Sequence, residues 1–294
     1  VTAPSSTTAP SPPAPDDRVR WGAGVSLLAL VATLGMTIFV AIPGLVIGDD
    51  TTTREIVGNV VSSVLQNAVF VGVPLLVVVL AAGKGLRRGD FGLRLPRHPW
   101  RIVAGLVVAY LAYVLLSGGL AQLIGVGDQQ DDLPEKLGAK DSAAAGIVIA
   151  FCVTVLAPIG EEFLLRGVVY PGLRDGLRRI APAGVAIGVA ALVDGALFGA
   201  LHAGGSQAIF LPILALFGAV LCLLYQWTGS LYAPILLHAT NNTVAIATAL
   251  DWSVGEGVLL WVCAVAILTL IALAVRALDA RLPAPRRREA AAAG

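Results

Sequence analysis

Apolar residues run along this chain in long stretches, separated by short clusters of charge, proline and glycine. Eight stretches follow one another: 21–47, 57–82, 102–126, 143 to a charged motif ending at Arg166, 182–201, 209–225, 231–250 and 257–275. About 20 apolar residues are enough to cross a bilayer as a helix. The pattern therefore predicts an all-α polytopic membrane protein with about eight transmembrane helices. The sixth stretch is short and the fourth is interrupted by polar residues, so these two are the candidates for partly re-entrant segments. Pro158 removes a helix hydrogen bond inside the fourth and predicts a break just before Glu161.

Composition agrees with this pattern. The chain is 57% hydrophobic and only 13% charged over 294 residues, with a mean hydropathy of +0.84. The connections are too short for a separate soluble domain. Residues 1–20 and 277–294 read as polar tails, the first disordered and the second basic. Residues 21–276 form the helical domain, with 147–249 as its motif-bearing core. A net charge of +1, with no basic face interleaved with aromatics, gives no sign of a nucleic-acid partner. Cys152, Cys222 and Cys263 lie inside apolar stretches and read as small hydrophobes. Lys and Arg gather in the loops after the second and fourth stretches and at both ends of the chain, whereas the loop after the third is acidic. The positive-inside rule then places both termini in the cytoplasm of a multi-pass cell-membrane protein. Arg174, Arg178 and Arg179 read as a basic loop close behind Arg166.

Three sets of polar residues interrupt the apolar pattern: Glu161-Glu162 with Arg166, Phe198 with His202, and His238 with Asn242. Residues four apart share a helix face. Glu162 and Arg166 form a favourable acid-before-base pair on that spacing. Glu161 points about 100° away from it and is left free. Asp194 lies on the Phe198/His202 face, but about 12 Å from His202 along the axis, so its expected partner is another helix or a water. Asn59, Gln66 and Asn67 read as interhelical packing amides. Ionisable groups inside a membrane are costly and mark function. Three helices presenting them to one interior define a polar intramembrane cavity.

That set suits hydrolysis. A carboxylate in a water-poor site works as a general base near neutral pH, an imidazole relays a proton, and a second imidazole with an amide can donate to an oxyanion. No serine or cysteine is paired with a base, so activated water is preferred over a covalent route. Residue spacing alone leaves open which histidine partners the water.

The three motifs, in this order, resemble the CPBP (CAAX protease and bacteriocin-processing) family of intramembrane endopeptidases, which includes Rce1-type prenyl-protein proteases and Abi proteins. The resemblance implies a glutamate-dependent endopeptidase acting on a membrane-associated protein or peptide. Glu161 and His202 would activate water, His238 and Asn242 would stabilise the oxyanion, and Glu162, Arg166 and Phe198 would support the site. With the basic loop behind Arg166, cleavage is expected near the cytoplasmic side. The resemblance implies no cofactor. Zinc held by Glu161, His202 and His238 is the alternative, although the His-Glu-x-x-His spacing of zinc peptidases is absent. The rival functions are a non-catalytic immunity or scaffold protein of the Abi type and a transporter with a Glu/His proton relay.

Overall fold

The computed structural model describes residues 19–40, 42, 52–83, 86–96, 98–127, 129 and 131–281. Of the tails expected at 1–20 and 277–294, residues 1–18 and 282–294 lie outside the described residues, as do Asp49 and Asp50, while residues 277–281 continue the last helix. Eight long helices account for most of the rest: α1 Ala23–Val40, α2 Thr52–Ala82, α3 Trp100–Ile124, α4 Ala143–Leu177, α5 Ala183–Leu201, α6 Leu211–Thr228, α7 Tyr232–Ala249 and α8 Val254–Arg281. No strand occurs among the described residues. The protein is an all-α, multi-pass membrane protein.

Among the described residues, seven helices are long and apolar enough to cross a membrane. The eighth, α7, falls short because His238, Asn241 and Asn242 interrupt it. It packs against α3, α4, α6 and α8, and buries His238 and Thr243. A helix shielded by its neighbours does not need an apolar surface. The expected eight apolar spans are thus seven, plus one polar helix of similar length inside the bundle.

The fourth helix departs most from expectation. It does not end at Arg166 but runs on to Leu177. Arg174 is therefore helical and buried rather than part of a loop. It is held by Asp175 at 2.8 Å and by the Gln226 side chain at 2.9 Å. Two wider π-helical stretches, Cys152–Leu156 and Phe163–Val169, flank a short α-helical piece, Ala157–Glu162. The first replaces the break expected at Pro158. The middle of α4 is the densest part of the fold, with Leu164, Leu165, Val168, Val169 and Tyr170 wholly buried.

Two contacts position the helices around it. Trp21, just before α1, donates from Nε1 to the Val168 carbonyl at 3.2 Å, and Ser26 Oγ donates to the same oxygen at 2.8 Å. Helices α5 and α6 pack backbone to backbone: a Cβ on Gly195 would lie 2.5 Å from the Ala215 carbonyl oxygen. Small residues permit such approach between membrane helices. At one end of the bundle, Arg101 donates to the Trp227 carbonyl at 2.6 Å and Arg87 and Arg88 pair with Asp279. The basic ends of α2, α3 and α8 thus gather on one face with the ends of α4 and α6.

Candidate active site

The α-helical piece between the two π stretches carries Glu161 and Glu162, both buried. Glu162 Oε1 accepts from Arg166 Nη1 at 3.0 Å, the pair expected from the spacing. The same oxygen also takes a hydrogen bond from His238 Nδ1 on α7 at 2.9 Å. A carboxylate oxygen only accepts, so this contact fixes the proton on Nδ1 and turns Nε2 toward Glu161.

Glu161 is the free carboxylate. Its Oε2 is buried without a hydrogen-bond partner among the described residues. It stands 4.0 Å from His202 Nε2 and 4.0 Å from His238 Nε2. The glutamate that the residue spacing left free is the one whose Oε2 has no partner, and both histidines flank it equally. His202 Nδ1 donates to the Phe198 carbonyl at 2.9 Å, which sets the same tautomer as in His238. His202 is the more open of the two, with its side chain 18% exposed against 3% for His238.

Arg166 is fully buried and tied down on every side. Besides Glu162, its Nη2 donates to the Gly218 carbonyl at 2.6 Å, and its Nε lies 3.2 Å from Asp194 Oδ1. The expected partner of Asp194 on another helix is thus Arg166. Cys222 Sγ donates to Asp194 Oδ1 at 3.0 Å. Phe198 lies at the centre of these groups: its ring is 5.0 Å from the Arg166 guanidinium, 4.8 Å from the His202 ring and 5.5 Å from the His238 ring. Phe217 meets His238 edge-on at 5.7 Å.

Asn242 is committed elsewhere. Its Nδ2 donates to the Val153 carbonyl at 2.8 Å. The reason lies in the π register. The Ala157 N–H goes to the Cys152 carbonyl, five residues back. In that register the donor for Val153 would be residue 158, which is a proline and has no N–H. Asn242 supplies the missing donor with one of its two amide hydrogens.

Sequence reasoning missed Phe217 and the Gly218 carbonyl, since neither an apolar residue nor a backbone oxygen carries a signal in an apolar helix. It also expected a basic loop directly behind Arg166. The helix continues eleven residues beyond Arg166, so no basic loop adjoins the site. The exposed edge, His202, sits at the far end of α5 from Arg178 and Arg179, beside a turn whose Gly205 carbonyl accepts from Lys136 at 2.9 Å.

Zinc requires a separate check. Tetrahedral zinc ligands at about 2.0–2.2 Å stand roughly 3.3 Å apart. Glu161 Oε2 is 4.0 Å from each imidazole nitrogen, and no three His, Cys, Asp or Glu among the described residues have metal-binding spacing. As placed, the residues do not fit a tetrahedral zinc.

Residues 143–244 match the family described as type II CAAX prenyl endopeptidase Rce1-like. Glu161, Glu162, Arg166, Phe198, His202, His238 and Asn242, the seven site residues expected from the sequence, all fall inside the match. Through this segment, the chain is similar to the CAAX-protease family of CPBP proteins. It is similar to the membrane-embedded CAAX protease MroQ of Staphylococcus aureus, 28% identical over 153 residues, which is 49% of this chain and 55% of that protein. It is also similar to an uncharacterized 24.3 kDa protein of Escherichia coli, 28% identical over 148 residues, which is 50% of this chain and 62% of that protein. The chain thus spans less than two thirds of either relative. No solved structure matches it. The matched segment supplies the glutamates, the histidines, Arg166, Asp194 and Asn242 of the Glu161 cluster.

Proposed function

We propose that this chain is an intramembrane, glutamate-dependent endopeptidase that hydrolyses a peptide bond of a membrane-associated protein or peptide without a metal. One observation carries the reading: a buried, unpartnered carboxylate oxygen lies equidistant from two imidazole nitrogens. A separation of 4.0 Å is too long for a direct hydrogen bond but suits a water about 2.8 Å from each group.

The two histidines differ in what holds them. The Nδ1 of His202 donates to a neutral carbonyl, so its Nε2 keeps a lone pair and assists Glu161 in accepting a proton from water. The Nδ1 of His238 donates to the Glu162 carboxylate, which balances the charge of the ring whenever Nε2 also carries a proton. Its Nε2–H then donates to the oxyanion formed when the water oxygen bonds to the carbonyl carbon. The remaining amide hydrogen of Asn242 is the second donor. As the tetrahedral intermediate collapses, the C–N bond breaks and the proton held at Glu161 passes to the leaving amine. Glu162, Arg166 and Phe198 hold the imidazoles in place.

The test compares membrane proteomes of cells carrying the wild-type and Glu161→Ala proteins. Uncut precursors should accumulate in the variant, and the same precursors should accumulate in His202→Ala and His238→Ala. With a precursor in hand, Glu161→Ala should lower the purified rate by about 10²–10⁴-fold, the usual worth of a general base. Unchanged processing in a folded, inserted Glu161→Ala protein would sink the proposal.

A further inference from the structure

A large cavity lies away from the Glu161 cluster. It encloses about 1060 Å³ between α2, α7, α8 and the turn Arg88–Phe91. That is at or above the upper end of ordinary small-ligand pockets, about 300–1,000 Å³. It meets α4 through Ile159 and Phe163, which share a helix face, and none of Glu161, Glu162, His202, His238 or Asn242 lines it. Its walls are almost wholly apolar, with Val71, Leu75 and Val79 on the α2 side. Its charge is concentrated in a few residues. Among the described residues lining it, Arg87, Arg88, Arg94, Arg276 and Arg281 are basic and Asp279 alone is acidic.

Asp279 accounts for part of that charge, standing 3.7 Å from Arg87 and 3.3 Å from Arg88. Arg94, Arg276 and Arg281 are exposed. Five positive charges thus meet one negative charge in an apolar trough that starts between membrane helices. A zwitterionic headgroup would bring a choline or ethanolamine cation onto those arginines, whereas an anionic one brings only complementary charge. Guanidinium groups bind phosphate oxygens in paired, directional hydrogen bonds.

We propose that this trough is a binding site for an anionic glycerophospholipid, with its phosphate on Arg94, Arg276 and Arg281 and an acyl chain along the α2–α8 walls. The site would join α8 to the rest of the bundle through a lipid, in addition to the Asp279 pairs. It stands independently of the peptidase reading, because its test reads binding and not cleavage.

The test uses the purified full chain in detergent, titrated with dioleoyl phosphatidylglycerol or dioleoyl phosphatidylcholine and read by native mass spectrometry. Phosphatidylglycerol should be retained at about ten-fold lower concentration than phosphatidylcholine, as expected for a headgroup site made of several arginines. The triple change Arg94→Gln, Arg276→Gln, Arg281→Gln should remove that preference, and the matching triple change to Lys should keep most of it. Leu75→Trp should weaken retention with every charge in place. Equal retention of the two lipids, or an undiminished preference in the Gln protein, overturns the proposal. So does retention of a lipidated peptide carboxylate where phosphatidylglycerol is not retained.

Discussion

Asn242 on α7 donates a hydrogen bond to the backbone carbonyl of Val153 on α4, across 89 positions of sequence. This bond replaces one that Pro158 cannot make, and it ties the two glutamates' helix to the helix of His238. Asn242→Ala should therefore lower stability by up to about 1–3 kcal/mol, the cost of leaving a carbonyl without its donor, as well as slowing cleavage. A residue acting only on the oxyanion would slow cleavage and leave the melting temperature unchanged, so thermal unfolding in detergent separates the two roles. Asn242→Asp should be worse than Asn242→Ala, because a carboxylate would face the carbonyl oxygen.

The Arg166–Asp194 pair is closed off from solvent on both sides. Breaking a buried pair by removing one partner costs about 3–5 kcal/mol. Asp194→Ala should lose that much, and the Arg166→Met/Asp194→Leu double variant should lose less than the sum of its single changes. Strict additivity in a double-mutant cycle would show that the two side chains do not interact.

Gly218 occupies a position where no side chain fits. A Cβ there would lie 2.7 Å from Phe198 Cβ and 2.9 Å from Gly195 Cα, with Arg166 Nη2 at 3.1 Å. Gly218→Ala should destabilise by about 1–3 kcal/mol, as overpacking does. It should also reduce cleavage, because Phe198 and Arg166 both touch the imidazoles or their partner. Gly184→Ala on α5, whose Cβ would meet nothing within 4 Å, is the control and should leave both measurements unchanged.

Chelators address the metal directly. Treating the purified protein with a zinc chelator should leave cleavage of a precursor peptide unchanged. A loss of rate that added zinc restores would overturn the metal-free mechanism.

Local features of the site were readable in the chain; long-range ones were not. Glu162 with Arg166 and Phe198 with His202 are four residues apart, so helix geometry alone pairs them, and the apolar stretches located the helices that carry them. The contact of Glu162 with His238 joins positions 76 apart, and nothing in the residue types shows that one carboxylate oxygen serves both an arginine and an imidazole. The continuation of α4 through Arg174 was hidden because three arginines near a proline read as a loop. Arg174 alone of the three is helical, held by Asp175 and Gln226, while Arg178 and Arg179 lie in the turn beyond Leu177. The π register is invisible to any pattern of period 3.6, and Asn242's bond follows from it.

The two donors from Trp21 and Ser26 onto the Val168 carbonyl have a consequence for how this family's signature is understood. The matched segment begins at residue 143, yet the helix bearing its glutamates is stapled from outside that segment. The signature is therefore not a portable cassette. Grafted alone into another helical bundle, it would lose both donors to a carbonyl inside the membrane, where unsatisfied backbone is expensive. In this chain, the helix that bears Glu161 and Glu162 is therefore held in part by Trp21 and Ser26, which lie outside the matched segment.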